Sequence, residues 1–254
     1  MLVTFILLFG LAVGSFLNAL IYRLEVKKSV AQGRSFCPHC KHTLFWYDLI
    51  PVLSFVFLQG KCRYCKGGIS IQYPLVELQT AFLFVITFLM FGLSVQLVFA
   101  LFVVAVLVAI FVYDLKHYLI PDVVLYPGVA VSFLYLLYQS ISAQSISPLL
   151  WGVVAALIAS GFFFSLFAVS KGKWMGFGDV KLAVLMGLVV GFPHIITALF
   201  IAFVTGAIIG IFLIALRKKT MKAEVPFGPF LILGTFLAWF WGPELIHFYL
   251  ELLV

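Results

Sequence analysis

Charged residues are scarce in this chain of 254 residues. Asp, Glu, Lys and Arg together make up 10% of it, whereas hydrophobic residues make up 65%. A soluble globular domain is about a quarter charged and about half apolar. The composition therefore excludes a water-soluble globular protein and a disordered chain, and only four cysteines in a chain of this length exclude a disulfide scaffold.

The apolar residues form long unbroken runs, such as 97–113. A helix that spans a membrane needs about 20 apolar residues, whereas the strands of a membrane barrel alternate apolar and polar positions. The sequence therefore predicts an all-α polytopic membrane protein with about eight transmembrane helices. Their approximate bounds are 2–22, 73–91, 95–113, 121–139, 148–170, 180–192, 194–216 and 229–250.

The sixteen basic residues are unevenly distributed along the chain. They all lie in the segments 23–72, 114–120, 171–181 and 217–225, which alternate with connections that carry none. Positively charged loops stay in the cytoplasm, so these four segments are expected inside and both termini outside. This topology explains the net charge of +7, and we expect the lipid bilayer and no nucleic acid as a partner.

The chain divides into three parts on this pattern. Residues 1–22 form a first transmembrane helix, which is expected to stay uncleaved because no basic residue precedes its apolar run and no small-residue cleavage site is evident. Residues 23–72 form a basic cytoplasmic loop that contains every cysteine. Residues 73–254 form the remaining transmembrane core.

The loop carries a candidate metal site. Its cysteines form two Cys-x-x-Cys pairs, Cys37 with Cys40 and Cys62 with Cys65. Two such pairs of thiolates can surround one tetrahedral Zn²⁺ ion, and a closed four-sulfur site would fold the loop without catalysing a reaction. Disulfides are the competing interpretation, disfavoured in the reducing cytoplasm, and redox thiols or another soft metal remain open. His39 and His42 are interpreted as exposed loop residues, although either could replace a cysteine ligand.

Three of the nine acidic residues lie where a predicted span meets the cytoplasmic face. Asp114 ends the third span, Asp122 begins the fourth, and Asp179 opens the sixth. An ionisable residue at a span is costly and indicates function. Purely structural roles are also open, with Asp179 as the N-cap of a helix starting at Val180, Asp122 as a first-turn acid, and Asp114 as a marker of the interface.

Two of these carboxyl groups in contact would form an acid–base pair. Because neighbouring carboxylates cannot both ionise easily, they share one proton. The ionised group can deprotonate a water molecule while the neutral group donates to the scissile carbonyl. Gly176 and Gly178 would let an extended substrate backbone approach Asp179. Lys181 is expected to anchor at lipid headgroups, or alternatively to lower the pKa of the pair.

Taken in order, these motifs resemble the type IV prepilin peptidases, the GxGD-type membrane aspartic proteases of pilus, competence and type II secretion systems. The resemblance covers nearly the whole chain. It rests on residues 14–18, 22–24, 35–46, 50–54, 60–65, 69–70, 73–78, 114, 120–122, 176–181 and 226–230. One departure is Leu49, which occupies a place where many relatives carry Asn.

The resemblance implies a bacterial inner-membrane enzyme that cleaves the leaders of prepilins or pseudopilins at the cytoplasmic face, after a glycine. It also implies N-methylation of the new amino terminus with S-adenosylmethionine, at a site that the sequence does not locate. Asp114 and Asp179 match the catalytic pair. Glu77 is expected to pair with a basic residue of the loop, or to contribute to methyl transfer.

Two alternative functions would require different features of the chain. A cation-coupled transporter would carry its acids near the bilayer midplane and would show related halves, and the chain shows neither. A non-catalytic scaffold of a secretion system, held together by its zinc loop, would tolerate loss of the aspartate carboxylates.

Overall fold

The structure is a computed structural model that describes residues 1–26, 29, 34–216 and 225–251. The basic residues Lys27, Lys28, Arg217, Lys218, Lys219 and Lys222 lie outside the described residues. The described part contains nine α-helices: α1 (Leu2–Glu25), α2 (Leu53–Phe57), α3 (Gln72–Phe91), α4 (Val95–His117), α5 (Asp122–Ser142), α6 (Ser147–Ser170), α7 (Phe177–Val190), α8 (His194–Ala215) and α9 (Gly228–Glu251).

The long apolar runs form helices because a membrane offers no water to satisfy exposed backbone groups. Seven of the described helices, all except α2 and α7, are long and apolar enough to cross a bilayer. The all-α polytopic fold is thereby confirmed, and these seven helices correspond to seven of the eight predicted spans.

The predicted span 180–192 corresponds to α7, which has 14 residues. At 1.5 Å per residue it is about 21 Å long, shorter than a hydrocarbon core of about 30 Å. The helix ends at Val190 and is followed by Gly191, where φ is +72°, a conformation that favours glycine. This element is therefore a short helix, and most of its side chains are buried inside the protein.

The chain forms two compact units, Met1–Ala109 and Ile110–Val254, and α4 begins in the first and ends in the second. In the first unit, α1 packs along α3. A Cβ atom added at Gly14 would lie 2.6 Å from Cα of Glu77, and one added at Gly10 would lie 2.6 Å from Cα of Ala81. The glycines therefore let the two helix backbones approach closely.

The second unit is built around α7, which packs against α5, α6, α8 and α9. A Cβ atom at Gly187 would lie 2.2 Å from the backbone nitrogen of Ala156, so this glycine sets the close approach of α6 and α7. Helix α9 packs on α8 and is kinked at Trp241, two residues before Pro243. The burial of α7 carries Asp179 into the interior of the unit.

Candidate functional site

Asp179 is held in the first turn of α7. Gly176 precedes the helix in an extended conformation. The backbone N–H of Asp179 donates to the carbonyl of Gly176 at 3.2 Å, and the N–H of Gly176 donates to the Asp179 carboxylate. These two hydrogen bonds satisfy the backbone N–H groups of Gly176 and Asp179 at the start of the helix. The alternative of Asp179 as the N-cap of a helix starting at Val180 is wrong, because the helix begins earlier, at Phe177.

Asp114 lies in the last turn of α4 and is 4% exposed. Its carboxylate accepts a hydrogen bond from the backbone N–H of Gly228, the first residue of α9. A Cβ atom at Gly228 would lie 2.5 Å from Oδ2 of Asp114, so only glycine permits this contact. No individual role is predicted for Gly228 from the sequence, although it lies within the motif at 226–230.

The two carboxylates belong to the second unit and lie close enough to interact electrostatically. Asp179 is 8% exposed, so both groups are almost completely removed from solvent. Each also accepts a hydrogen bond from the backbone of a glycine. The structure therefore places the two aspartates that the sequence predicts in one buried region, where the charge of one carboxylate disfavours ionisation of the other.

The two glycines beside Asp179 have different surroundings. A Cβ atom at Gly176 would lie 3.8 Å from the nitrogen of Gly178 and 4.0 Å from Oδ2 of Asp179, and Gly176 is exposed. A Cβ atom at Gly178 would lie 3.3 Å from Ile120. Gly178 packs against the segment between α4 and α5, whereas Gly176 is open to solvent beside the carboxylate. The expected role of both glycines in admitting a substrate backbone stays a prediction.

Asp122 and Lys181 form an ion pair between α5 and α7. Asp122 is the first residue of α5, as predicted, and its Oδ1 accepts a hydrogen bond from Nζ of Lys181. The same Nζ lies 5.8 Å from the ring centroid of Tyr126 and 5.9 Å from that of Phe177. The side chain of Lys181 therefore joins the two helices two residues beyond Asp179. Its expected anchoring at lipid headgroups stays a prediction.

Glu77 lies in α3 of the first unit and is 6% exposed. Its Oε2 accepts a hydrogen bond from the backbone N–H of Val52 at 2.7 Å, and its carboxylate also hydrogen-bonds Ser15. Within the described part of the chain no lysine or arginine pairs with it. The expected ion pair with the basic loop is therefore wrong for the described residues, because a backbone N–H of the loop takes that place.

The four cysteines converge on one point in the first unit. Their sulfur atoms all lie within 4.8 Å of one another, and the Sγ atoms of Cys37 and Cys65 are 3.9 Å apart. A tetrahedral Zn²⁺ ion bound at about 2.3 Å from each thiolate separates its sulfurs by about 3.8 Å. All four are free thiols, so the cluster has the geometry of a metal site and no disulfide.

Each cysteine pair lies on a tight turn of the same kind. The N–H of Cys37 donates to His42 and its carbonyl accepts from Lys41, while the N–H of Cys62 donates to Gly67 and its carbonyl accepts from Lys66. Lys41 and Lys66 both have a φ of 59°. The cluster contains no histidine. His42 lies with its ring centroid 3.8 Å from that of Tyr64, and the ring of His39 lies against Gly67.

Asp48, in the short 3₁₀ helix Trp46–Asp48, holds the second of these turns. Its Oδ1 accepts from Nε of Arg63 at 2.7 Å, and its Oδ2 accepts from the hydroxyl of Tyr64 at 3.0 Å. Burial raises the pKa of Asp48, but the hydrogen bonds from Arg63, the N–H of Phe45 and Tyr64 outweigh it and hold the pKa below its usual value. The loop is thus ordered by polar contacts as well as by its cysteines.

The fold and the site together define a multi-pass membrane protein with a buried pair of aspartates and a four-cysteine cluster. Comparison with known families gives two matches. The bacterial peptidase A24 N-terminal domain matches residues 8–91, and the type IV leader peptidase family matches residues 101–211.

Full-length relatives agree with these matches. A protein of Legionella pneumophila named prepilin leader peptidase/N-methyltransferase is 34% identical over 96% of this chain and 92% of its own length. A protein of Bacillus subtilis (strain 168) with the same name is 34% identical over 99% of each chain. No solved structure matches. The chain belongs to the type IV leader peptidase family, which confirms the resemblance drawn from its motifs.

Proposed function

We propose that this protein is a membrane aspartic endopeptidase that removes the leader of type IV prepilins or pseudopilins, and that it methylates the new amino terminus with S-adenosylmethionine. Its family membership and the names of its full-length relatives support both activities. The single observation that carries the peptidase activity is the burial of Asp114 and Asp179 close enough to interact electrostatically.

The two carboxyl groups would share one proton at the start of the reaction. The ionised group takes a proton from a water molecule, whose oxygen attacks the carbonyl carbon of the scissile peptide, and the neutral group donates its proton to the carbonyl oxygen. Collapse of the tetrahedral intermediate breaks the C–N bond, and the leaving nitrogen takes up a proton. The protonation states belong to the pair rather than to either residue.

Hydrogen bonds from the backbone position these carboxylates for that chemistry. The N–H of Gly228 holds Asp114, and the N–H of Gly176 holds Asp179. The exposed backbone around Gly176 leaves room for an extended peptide beside Asp179. Lys181 and Asp122 support this arrangement by joining the start of α7 to the start of α5.

The protein lies in the bacterial inner membrane as a multi-pass protein, and we infer its orientation from the basic segments. The segments 23–72, 114–120, 171–181 and 217–225 face the cytoplasm, together with both aspartates and the cysteine cluster, and the termini face outward. In this orientation α7 and α8 run in opposite directions between two cytoplasmic segments. The short α7 is accommodated because it is buried in protein rather than exposed to lipid.

Cys37, Cys40, Cys62 and Cys65 would hold a structural Zn²⁺ ion, since four thiolates at this spacing match its preferred ligand set. With its four positions filled by sulfur, the ion has no free position for a water molecule or a substrate. It would stabilise the loop and take no part in peptide cleavage.

Purified protein incubated with a prepilin peptide, with and without S-adenosylmethionine, tests both activities. We expect the leader and the mature peptide as products, with the mature peptide one methyl group heavier only when S-adenosylmethionine is present. A peptide in which the glycine before the cleaved bond is replaced serves as the control and should stay intact. Failure to cleave any prepilin peptide would contradict the peptidase assignment.

Gly228→Ala should displace the carboxylate of Asp114, although neither aspartate is replaced. The added methyl group would lie 2.5 Å from Oδ2 and 3.1 Å from Cγ of Asp114, so the carboxylate must move. A displacement of about 1 Å can lower a rate by about 100-fold, and we expect cleavage to fall by about 10- to 100-fold. Gly210→Ala is the matched control, because no atom lies within 4 Å of its added Cβ. Equal cleavage rates for the two variants would contradict the role of Gly228.

A further inference from the structure

A second polar cluster lies between α1 and α3 in the first unit, apart from the cysteines. It consists of Ser15, Asn18, Glu77 and the backbone N–H of Val52, and we refer to it as the α1–α3 cluster. Ser15 and the N–H of Val52 both hydrogen-bond the Glu77 carboxylate, and Nδ2 of Asn18 donates to the carbonyl of Tyr73 at 3.0 Å. Tyr73 lies one helical turn before Glu77, so all these groups lie within a short stretch of the helix pair.

Asn18 has an unused acceptor. The residue is 2% exposed, and its Oδ1 has no hydrogen-bond partner among the described residues. Rotating the carboxamide would bring Oδ1 against the carbonyl oxygen of Tyr73, where two acceptors would face each other. Buried polar groups without partners are costly and rare, so this oxygen can accept a hydrogen bond from a donor on a bound molecule.

Glu77 is an acidic group buried in the same place. Its carboxyl group hydrogen-bonds the N–H of Val52 and the side chain of Ser15, and in its ionised form it would accept both hydrogen bonds. Its burial in a membrane helix is costly without a compensating cation, and none of the described lysines or arginines supplies one. Ser15, Val52 and Tyr73 are only half-buried, so the cluster lies just beneath the surface of the first unit.

We propose that the α1–α3 cluster binds the positively charged end of S-adenosylmethionine, its sulfonium and the adjacent ammonium group. This inference rests on the proposed methyltransferase activity. A buried carboxylate and a carboxamide oxygen together offer only acceptors, which suits a cation that carries N–H donors.

The same chemistry could in principle hold the peptide amine that receives the methyl group. That amine must be neutral to attack, however, and a neighbouring carboxylate favours its protonated form. In the transfer, the amine nitrogen forms a bond to the methyl carbon and the C–S bond breaks. The electron pair of the broken C–S bond stays on sulfur, and the nitrogen then releases a proton to water. The donor thus loses its sulfonium charge, and with it part of its attraction to Glu77.

Equilibrium binding of S-adenosylmethionine and S-adenosylhomocysteine to the full-length purified protein tests this assignment. Glu77→Gln keeps the size of the side chain and removes its charge. It should weaken binding of S-adenosylmethionine by at least about tenfold, as expected when one member of a buried charge pair is removed. Binding of S-adenosylhomocysteine should fall less, because it lacks the sulfonium. Asn18→Ala should weaken both ligands by a smaller factor.

Thr87→Val is the matched control. Thr87 is buried in the same helix as Glu77, and its hydroxyl donates only to the carbonyl of Leu83. The Thr87→Val variant should bind both ligands as the wild type does.

Prepilin cleavage by each variant reports that the chain has folded. Binding of a cleaved prepilin peptide with a free amino terminus is measured separately. Loss of peptide binding with unchanged S-adenosylmethionine binding would overturn the proposal.

A cross-linking experiment on the wild-type protein tests the binding site without any substitution. Ultraviolet irradiation of wild-type protein with labelled S-adenosylmethionine should place the label on peptides from α1 or α3. A label confined to residues 110–254 would overturn the assignment.

The methyltransferase activity and the location of its binding site are contradicted by different results. A wild type that cleaves prepilin but neither binds S-adenosylmethionine nor methylates contradicts the methyltransferase activity itself. A wild type that binds it while Glu77→Gln and Asn18→Ala bind equally well contradicts only the site.

Discussion

Asp114→Asn and Asp179→Asn should each lower prepilin cleavage by at least about 100-fold, the usual contribution of a general acid or base. An amide can neither take the proton of the attacking water nor share a proton with its partner, so loss of either carboxyl group disables the pair. Both variants should still insert into the membrane and keep their metal, because an amide retains the size of the carboxyl group. Cleavage is measured on purified protein by the masses of the peptide products.

Asp122→Asn is the matched control for this pair. Asp122 also belongs to the second unit, but half of its side chain is exposed and it pairs with Lys181 rather than with a second acid. Its loss should have a milder effect. Near-wild-type cleavage by a folded Asp114→Asn or Asp179→Asn variant would disprove the catalytic assignment. An inactive Asp122→Asn beside an active Asp114→Asn would mean that the wrong aspartates had been paired.

Loss of the metal is the second large effect that we expect. Wild-type protein should contain about one Zn²⁺ ion per chain, and Cys37→Ser or Cys65→Ser should abolish its binding, because four thiolates complete the tetrahedral shell. Since metal binding and folding of such a loop are coupled, limited proteolysis should cut residues 34–72 faster in these variants. Cleavage of prepilin should fall only indirectly, through handling of the substrate.

His39→Ala is the control for the metal site. His39 lies between two of the cysteines but contributes no atom to the cluster, so the variant should keep its zinc. Metal analysis of purified wild type and variants, alongside both activities, decides the question. Metal-free wild type with full activity, or disulfides in protein from a reducing cytoplasm, would refute the structural zinc site.

Several features were accessible from the sequence because they depend on local patterns. Unbroken apolar runs predicted the seven long helices to within a few residues, since burial in lipid requires a helix of fixed length. The spacing within each cysteine pair predicted a metal site, because two intervening residues let both thiolates reach one ion. The motifs around Asp114 and Asp179 identified the family that the comparisons then established.

Other features depend on residues far apart in the chain, and only the tertiary structure decided them. The length and hydropathy of 180–192 suggested a weak span, whereas packing against four helices makes α7 a short buried helix. No local pattern predicts the ion pair of Lys181 with Asp122, which forms because the start of α5 lies beside the start of α7. No pattern in the sequence shows that the backbone of Gly228 holds Asp114.

The same distinction applies to Glu77. Its cost inside a span marked it as functional from the sequence alone, and its expected partner was a basic residue of the loop. The close approach of α1 and α3 instead surrounds it with Ser15 and the N–H of Val52. The sequence determined which side chains are costly to bury, because that cost is intrinsic to each residue. Which groups compensate for the cost was decided by the packing of helices that are distant in the chain.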